Sequence, residues 1–188
     1  MKNLKVVFFG TPDFAKESLA AIHQSNHQVV GVVTVADKPS GRGQKLTESP
    51  VKKYAVENNL TVFQPEKLRN PEFLEQIRNL DADVFVVVAF RMMPKILFEM
   101  PKIGTFNLHA SLLPDYRGAA PINFAIINGE EKTGATTFFI NEKIDEGNIL
   151  LQEELPISPD ENAGSLHDRL MEMGAKLVVK TLNGLAEN

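Results

Sequence analysis

The stretch KVVFFGTPDFA, residues 5–15, decides the fold of this chain. Lys5 to Phe9 is an apolar run that stops at Gly10, and Thr11-Pro12 then offers a helix N-cap followed by proline at a first-turn position. Strand, turn and helix follow in that order. The helix is expected to run to about Gln24 with Phe14, Leu19 and Ile22 inward, and Val29 to Val35 (VVGVVTV) is a second wholly apolar strand. Two buried strands around one helix make a βαβ unit. Gly10 is a turn residue on this reading, since no GxGxxG follows to cradle a dinucleotide phosphate.

Downstream the same alternation continues. Ser49-Pro50 starts a helix through Asn58, Leu60 to Phe63 is a short strand, Pro71 opens a helix to about Leu80, and Val84 to Ala89 is a third buried strand. A short helical turn is expected over Lys95 to Met100. The helix from Ala119 to Ile127 precedes two strands, Thr136 to Ile140 and Ile149 to Glu154, that flank the turn NEKIDEGN, residues 141–148. A last helix, from about Asn162 to Leu182, carries Leu166, Leu170, Met173, Leu177, Val178 and Leu182 at helical spacing. This order predicts an α/β fold, a doubly wound and mostly parallel sheet flanked by helices, with ligands outside the carboxyl ends of its strands.

The 188 residues suit one domain, and 43% hydrophobic with 23% charged residues is the composition of a globular protein. Cysteine is absent, which removes disulfides, thiol nucleophiles and thiolate metal sites and points to a reducing compartment. The start MKNLKVVFFG has no secretory pattern and no later stretch is long enough to span a membrane. A cytoplasmic monomer, with no membrane partner, is the expectation. A net charge of −4 disfavours nucleic-acid binding over the whole surface but permits a local basic patch. One candidate is DKPSGRGQKLTESPVKK, residues 37–53, read as an irregular mobile loop in which Lys38, Arg42, Lys45, Lys52 and Lys53 outweigh Asp37 and Glu48. Such a segment is either a solvated surface loop or a flap that meets phosphate.

Chemistry concentrates in GTFNLHASLLPDYRG, residues 104–118. Alternation along a strand puts Asn107, His109 and Ser111 on one face and Phe106, Leu108 and Ala110 on the other. His109 is the histidine with polar neighbours on a strand. His23 and His27 are four apart, but no third ligand accompanies them and they read as solvated; His167 reads as structural. An amide at Asn107 can donate to a developing oxyanion, and Asp145 on the following loop can orient the imidazole. With no cysteine and no serine in a nucleophile-elbow context, direct acyl transfer between two bound substrates is favoured over an acyl-enzyme.

FNLHASLLPDYRGAAPI, followed by GATTFFINEKIDEGNILLQ, resembles the folate-dependent formyltransferase signature Asn-x-His-x-Ser-Leu-Leu-Pro with a later Asp-x-Gly. FFGTPDFA, ADKPSGRGQKL, SPVKKYA and VFQP extend the resemblance over nearly the whole chain, toward the branch that formylates methionyl-tRNA. The resemblance implies a Rossmann-like domain over residues 1–188, 10-formyltetrahydrofolate as donor, the α-amine of initiator methionyl-tRNA as acceptor, a role in translation initiation, and no metal. It makes Asn107, His109 and Asp145 catalytic, sets Ser111, Leu112, Leu113 and Pro114 along the folate, and brings Arg42 and Lys45 to the tRNA acceptor end. An amino sugar, a purine intermediate or water remain alternative acceptors, and a folate- or RNA-binding module without turnover is the non-enzyme alternative. Two departures stand out: AFRMMPK, residues 89–95, carries Arg91 where the family has glycine, in the pterin-pocket wall, and the family's C-terminal tRNA-binding domain is expected to be absent, leaving an excised domain or a compact relative.

Overall fold

The computed structural model describes residues 2–188. Its elements in chain order are β1 (Lys5–Gly10), α1 (Asp13–His23), β2 (Gln28–Val33), β3 (Lys38–Ser40), β4 (Lys45–Thr47), α2 (Pro50–Glu57), β5 (Val62–Phe63), α3 (Pro71–Asn79), β6 (Val84–Val88), α4 (Lys95–Phe98), β7 (Gly104–His109), α5 (Pro121–Ile127), β8 (Lys132–Phe139), β9 (Ile149–Pro156) and α6 (Ala163–Ala186). Seven strands form one sheet in the order β5-β2-β1-β6-β7-β8-β9. The five from β5 to β7 are parallel, and β8 and β9 are added antiparallel. The expected mostly parallel, doubly wound sheet is therefore the observed one.

Alternation along the central strands splits the core into two layers. Val6 and Phe8 of β1, with Val84, Val86 and Val88 of β6, pack under α1, α2 and α6; Val7 and Phe9, with Phe85 and Val87, pack under α3 and α4. Both faces are buried, which is why these strands read as unbroken apolar runs. Each fully buried Phe or Val side chain contributes about 1.5–3 kcal/mol over its exposed state. At β7 the two layers differ. Phe106 and Leu108 enter the first core, and Gly174 of α6 leaves room for Leu108, since a Cβ there would lie 2.8 Å from Leu108 Cδ2. Asn107 and His109 take the other face.

Local details depart from the sequence reading at three places. The N-cap of α1 is Pro12 with no side-chain cap bond, while the hydroxyl of Thr11, the expected cap, is buried and unbonded. Ser49, Asn70 and Asn162, in contrast, each accept from backbone N–H groups and cap α2, α3 and α6. Residues 37–53 are not an irregular loop. Its middle is an antiparallel hairpin, β3 with β4, paired Lys38↔Thr47 and Ser40↔Lys45, and Gly41 and Gly43 take the positive φ angles its tip needs, +72° and +94°. The third departure is His27, expected in solvent but 4% exposed. Its Nδ1 accepts from the Leu4 N–H at 3.1 Å and its Nε2 meets Asn183 Oδ1 at 2.8 Å, so it staples the start of β1 to α6.

Candidate active site

The strand order reverses direction beside β1, the place where open α/β sheets leave a crevice at their carboxyl ends. A cavity of about 1430 Å³ opens there. It is walled by the residues that follow β6, by Asn107 to Ala110 at the end of β7, and by Ile140 to Asp145 after β8. Asn107, His109 and Asp145, from two separate segments, thus meet at one cavity.

His109 is 9% exposed and both its nitrogens have defined partners. Nε2 lies 2.8 Å from the Tyr116 carbonyl oxygen, which can only accept, so Nε2 carries a proton. Nδ1 lies 3.6 Å from Asp145 Oδ2, an ion-pair distance when the ring is charged. That carboxylate is itself aimed: Oδ2 accepts the Gly118 N–H at 2.8 Å, and Arg117 Nε donates to the Asp145 carbonyl at 3.2 Å. Asp145 sits at φ +52°, a conformation that Asp tolerates better than most residues. Two positions later, a Cβ on Gly147 would fall 1.5 Å from the Phe139 carbonyl oxygen, so only glycine lets the chain turn back against β8. The spacing Asp145-x-Gly147 is therefore mechanical: one residue bears the carboxylate and the other permits the turn that presents it.

Ser111, Leu112, Leu113 and Pro114 do not line the cavity. The strand ends at His109, so the alternation that set Ser111 beside His109 has stopped before it is reached. Ser111 is fully buried and its hydroxyl donates to the Asp115 carbonyl at 2.6 Å. The Leu113 N–H donates to Thr136 Oγ1 at 3.1 Å, and the Leu113 carbonyl accepts from Gln152 at 2.8 Å. These residues build the turn that returns the chain to His109. Arg42 and Lys45 lie at the exposed tip of the β3–β4 hairpin, outside the cavity wall. The hairpin's base is tied down: Lys52 Nζ lies 2.6 Å from Asp37 Oδ2, and Gln64 Nε2 donates to Asp37 Oδ1 at 2.8 Å. That lysine, with the Gln64 amide, holds the Asp37 carboxyl below its usual range, and the carboxylate raises the Lys52 amine.

Other side chains complete the wall, Arg91 of the departing AFRMMPK segment among them. His167, expected to be structural, reaches the cavity with its ring 5.5 Å from Phe14, edge to face. Arg91 donates through Nη1 to the Glu66 carbonyl at 2.8 Å and stacks 5.4 Å over Phe90, bracing the segment after β6 against the one after β5. Burial lowers its pKa. Across the rim, Lys95 Nζ bridges to Glu142 Oε1 at 2.8 Å, and each holds the other in its charged form. Among the described residues no group of three or more His, Asp or Glu side chains is placed to hold a metal, and no helix is long and apolar enough to cross a membrane.

Comparison with known proteins places this geometry. The formyl transferase family profile matches residues 4–182. Methionyl-tRNA formyltransferase of Flavobacterium johnsoniae is 59% identical over 97% of this chain and 58% of its own length. The protein of that name from Clostridioides difficile is 51% identical over 98% of this chain and 60% of its own. The chain thus spans well under two thirds of the length of these relatives. Among solved structures, phosphoribosylglycinamide formyltransferase of Bacillus halodurans superposes with a TM-score of 0.79 at 20% identity, covering 97% of this chain and 94% of that one, a likeness of fold. WlaRD, a sugar 3N-formyl transferase solved in the presence of dTDP and 5-N-formyl-THF, gives a TM-score of 0.72 at 26% identity, over all of this chain and 65% of its own.

Proposed function

Because this chain belongs to the formyl transferase family, we propose that it transfers a formyl group from 10-formyltetrahydrofolate to the α-amine of methionyl-tRNA. The observation that carries this reading is the convergence of Asn107, His109 and Asp145 on one cavity large enough for a folate and the end of an acceptor chain. Relatives named for that activity at 59% and 51% identity support the choice of acceptor.

The amine nitrogen attacks the formyl carbon, the carbonyl oxygen takes the negative charge, and collapse of the tetrahedral species breaks the bond to folate N10. Asn107 donates its amide N–H to the oxyanion. His109 acts through Nδ1, since Nε2–H is committed to the Tyr116 carbonyl. Charged, it donates toward the formyl oxygen; Asp145, beside it, accepts the proton that the attacking amine sheds and returns it to N10, which leaves protonated. The 3.6 Å between Nδ1 and Oδ2 leaves each group free to meet substrate. The exposed tip with Arg42 and Lys45 meets tRNA phosphates, and the wall around Phe90, Arg91 and Met92 meets the pterin.

Labelled formyl donor offered in parallel to methionyl-tRNA, an amino-sugar nucleotide, a glycinamide nucleotide and water tests the reading. Label in methionyl-tRNA, lost in His109→Ala, is the expected result. Label in another acceptor moves the acceptor assignment, and folate binding with no turnover in any arm makes the chain a binding module.

A further inference from the structure

The mechanism uses the Tyr116 carbonyl but leaves its side chain without a task. Tyr116 is half-buried, lies outside the cavity wall, and holds φ +54°, which an aromatic residue rarely adopts unless its surroundings impose it. Its phenol is held at both valences. The O–H donates to Glu130 Oε1 at 2.5 Å, and the oxygen accepts from Asn128 Nδ2 at 2.9 Å. Asn128 caps α5 at its C-terminus, and the Glu130 N–H is bonded to the Ala125 carbonyl at 3.0 Å. Both anchors therefore belong to the hydrogen-bonded α5–β8 connection. β8 is the strand whose Thr136 pairs with His109. The path closes a ring: His109, Tyr116 backbone, Tyr116 phenol, Glu130, β8 and back to His109.

We propose that Tyr116 is a positioning residue for His109: the Glu130–Asn128 grip on its phenol holds its carbonyl against His109 Nε2, fixing the tautomer and turning Nδ1 toward Asp145. The adjacent backbone supports the same arrangement, since Gly118 and Arg117 fasten Asp145 by its carboxylate and carbonyl. One three-residue turn thus sets both partners of the pair. The phenol stays protonated to high pH, because the Glu130 hydrogen bond raises its pKa, so the grip persists across the working range. The kinetic consequence of this proposal rests on the formyl-transfer reading; the structural one does not.

The test is carried out on the whole chain with ¹⁵N-histidine labelling, His109 being identified by the resonance missing in His109→Asn. Wild type is expected to show the Nε2–H tautomer with a slowly exchanging proton. Tyr116→Phe and Glu130→Ala are expected to speed exchange of that proton and mix the tautomers, and to lower kcat for formyl transfer by up to about 100-fold with KM within about twofold, the loss that a misplacement of about 1 Å can cause. Glu130→Gln, which keeps an acceptor for the phenol, is expected to restore both signals. An unchanged His109 spectrum in Tyr116→Phe and Glu130→Ala, both folded by circular dichroism, would overturn the proposal. A changed spectrum in those variants, beside a wild type that transfers no formyl group, would sustain the positioning role and reject the formyl-transfer reading instead.

Discussion

His109 Nδ1 stands 3.6 Å from Asp145 Oδ2 while its Nε2 stands 2.8 Å from the Tyr116 carbonyl oxygen. The imidazole is held on one side and faces a charge on the other. Such a ring has one nitrogen to spend on chemistry, and that nitrogen's behaviour depends on the carboxylate opposite.

Asp145→Asn separates charge from shape. The amide oxygen still accepts from the Gly118 N–H, so the loop stays in place, but the charge opposite His109 is lost and with it, on the proposed mechanism, the acceptor for the amine proton. A fall in kcat of about 100-fold is expected, with folate binding retained. Steady-state kinetics together with folate titration check this, and a variant retaining more than half of wild-type kcat would remove Asp145 from the mechanism.

Gly147→Ala addresses the turn rather than the charge. The new Cβ would fall 1.5 Å from the Phe139 carbonyl oxygen, so the loop must move away from β8. A loss of about 2–4 kcal/mol is expected, roughly 5–15 °C in Tm for a chain of this size. Thermal unfolding measures the loss. Asp145 would also be displaced, so activity measured well below the Tm should fall with it.

Much of this was legible in the sequence, for a physical reason. Strands buried on both faces must be apolar throughout, so the runs Val84 to Ala89 and Lys5 to Phe9 announce themselves, and Ser49-Pro50 and Pro71 mark helix starts because the first turn is local chemistry. Asn107 and His109 could be paired because they lie on one strand. Ser111 could not be placed by the same rule, since the strand stops at His109 and its hydroxyl turns to the Asp115 carbonyl. His27, 156 residues from Asn183, and Tyr116, whose carbonyl meets His109 Nε2 while its phenol is held by Glu130 and Asn128, were illegible: both rest on contacts between segments that no local pattern pairs.

His27→Ala tests the staple. The buried Leu4 N–H would lose its acceptor and Asn183 its partner, at a cost of about 1–3 kcal/mol. Chemical denaturation should show the loss in an unchanged m-value with a lower midpoint. Added divalent metal should alter neither wild type nor variant, and metal-dependent stabilisation of the wild type would instead restore the ligand reading of His23 and His27.

The tip of the β3–β4 hairpin should act by charge alone. If Arg42 and Lys45 each neutralise one phosphate, Arg42→Ala or Lys45→Ala should weaken tRNA binding and reduce the slope of log K against log salt by about 1. The kcat at saturating tRNA should stay near wild type, because neither residue lines the cavity. Binding isotherms at several salt concentrations decide this, and unchanged slopes would return the tip to a solvated loop.

The base of that hairpin should respond to acid. The Asp37 pKa is depressed, first by the Lys52 hydrogen bond and then by Gln64, so its folded value lies below its unfolded one. The stability it contributes is then complete above about pH 4 and is lost as pH falls through the folded value. Lys52, whose pKa is raised by the same bond, has the opposite sign: its contribution is complete below its unfolded value and is lost as pH rises through the folded one. Between those limits the pair holds β3 and β4 to α2. Amide protection of Lys38 to Thr47, normalised for intrinsic exchange, should therefore drop below pH 4 while β1 and β6 remain protected. Lys52→Met should show the same loosened hairpin at pH 7. Protection that is equal at pH 3 and pH 7 would mean that the hairpin is held by its own pairing, and that the Asp37–Lys52 bridge contributes nothing to placing Arg42 and Lys45.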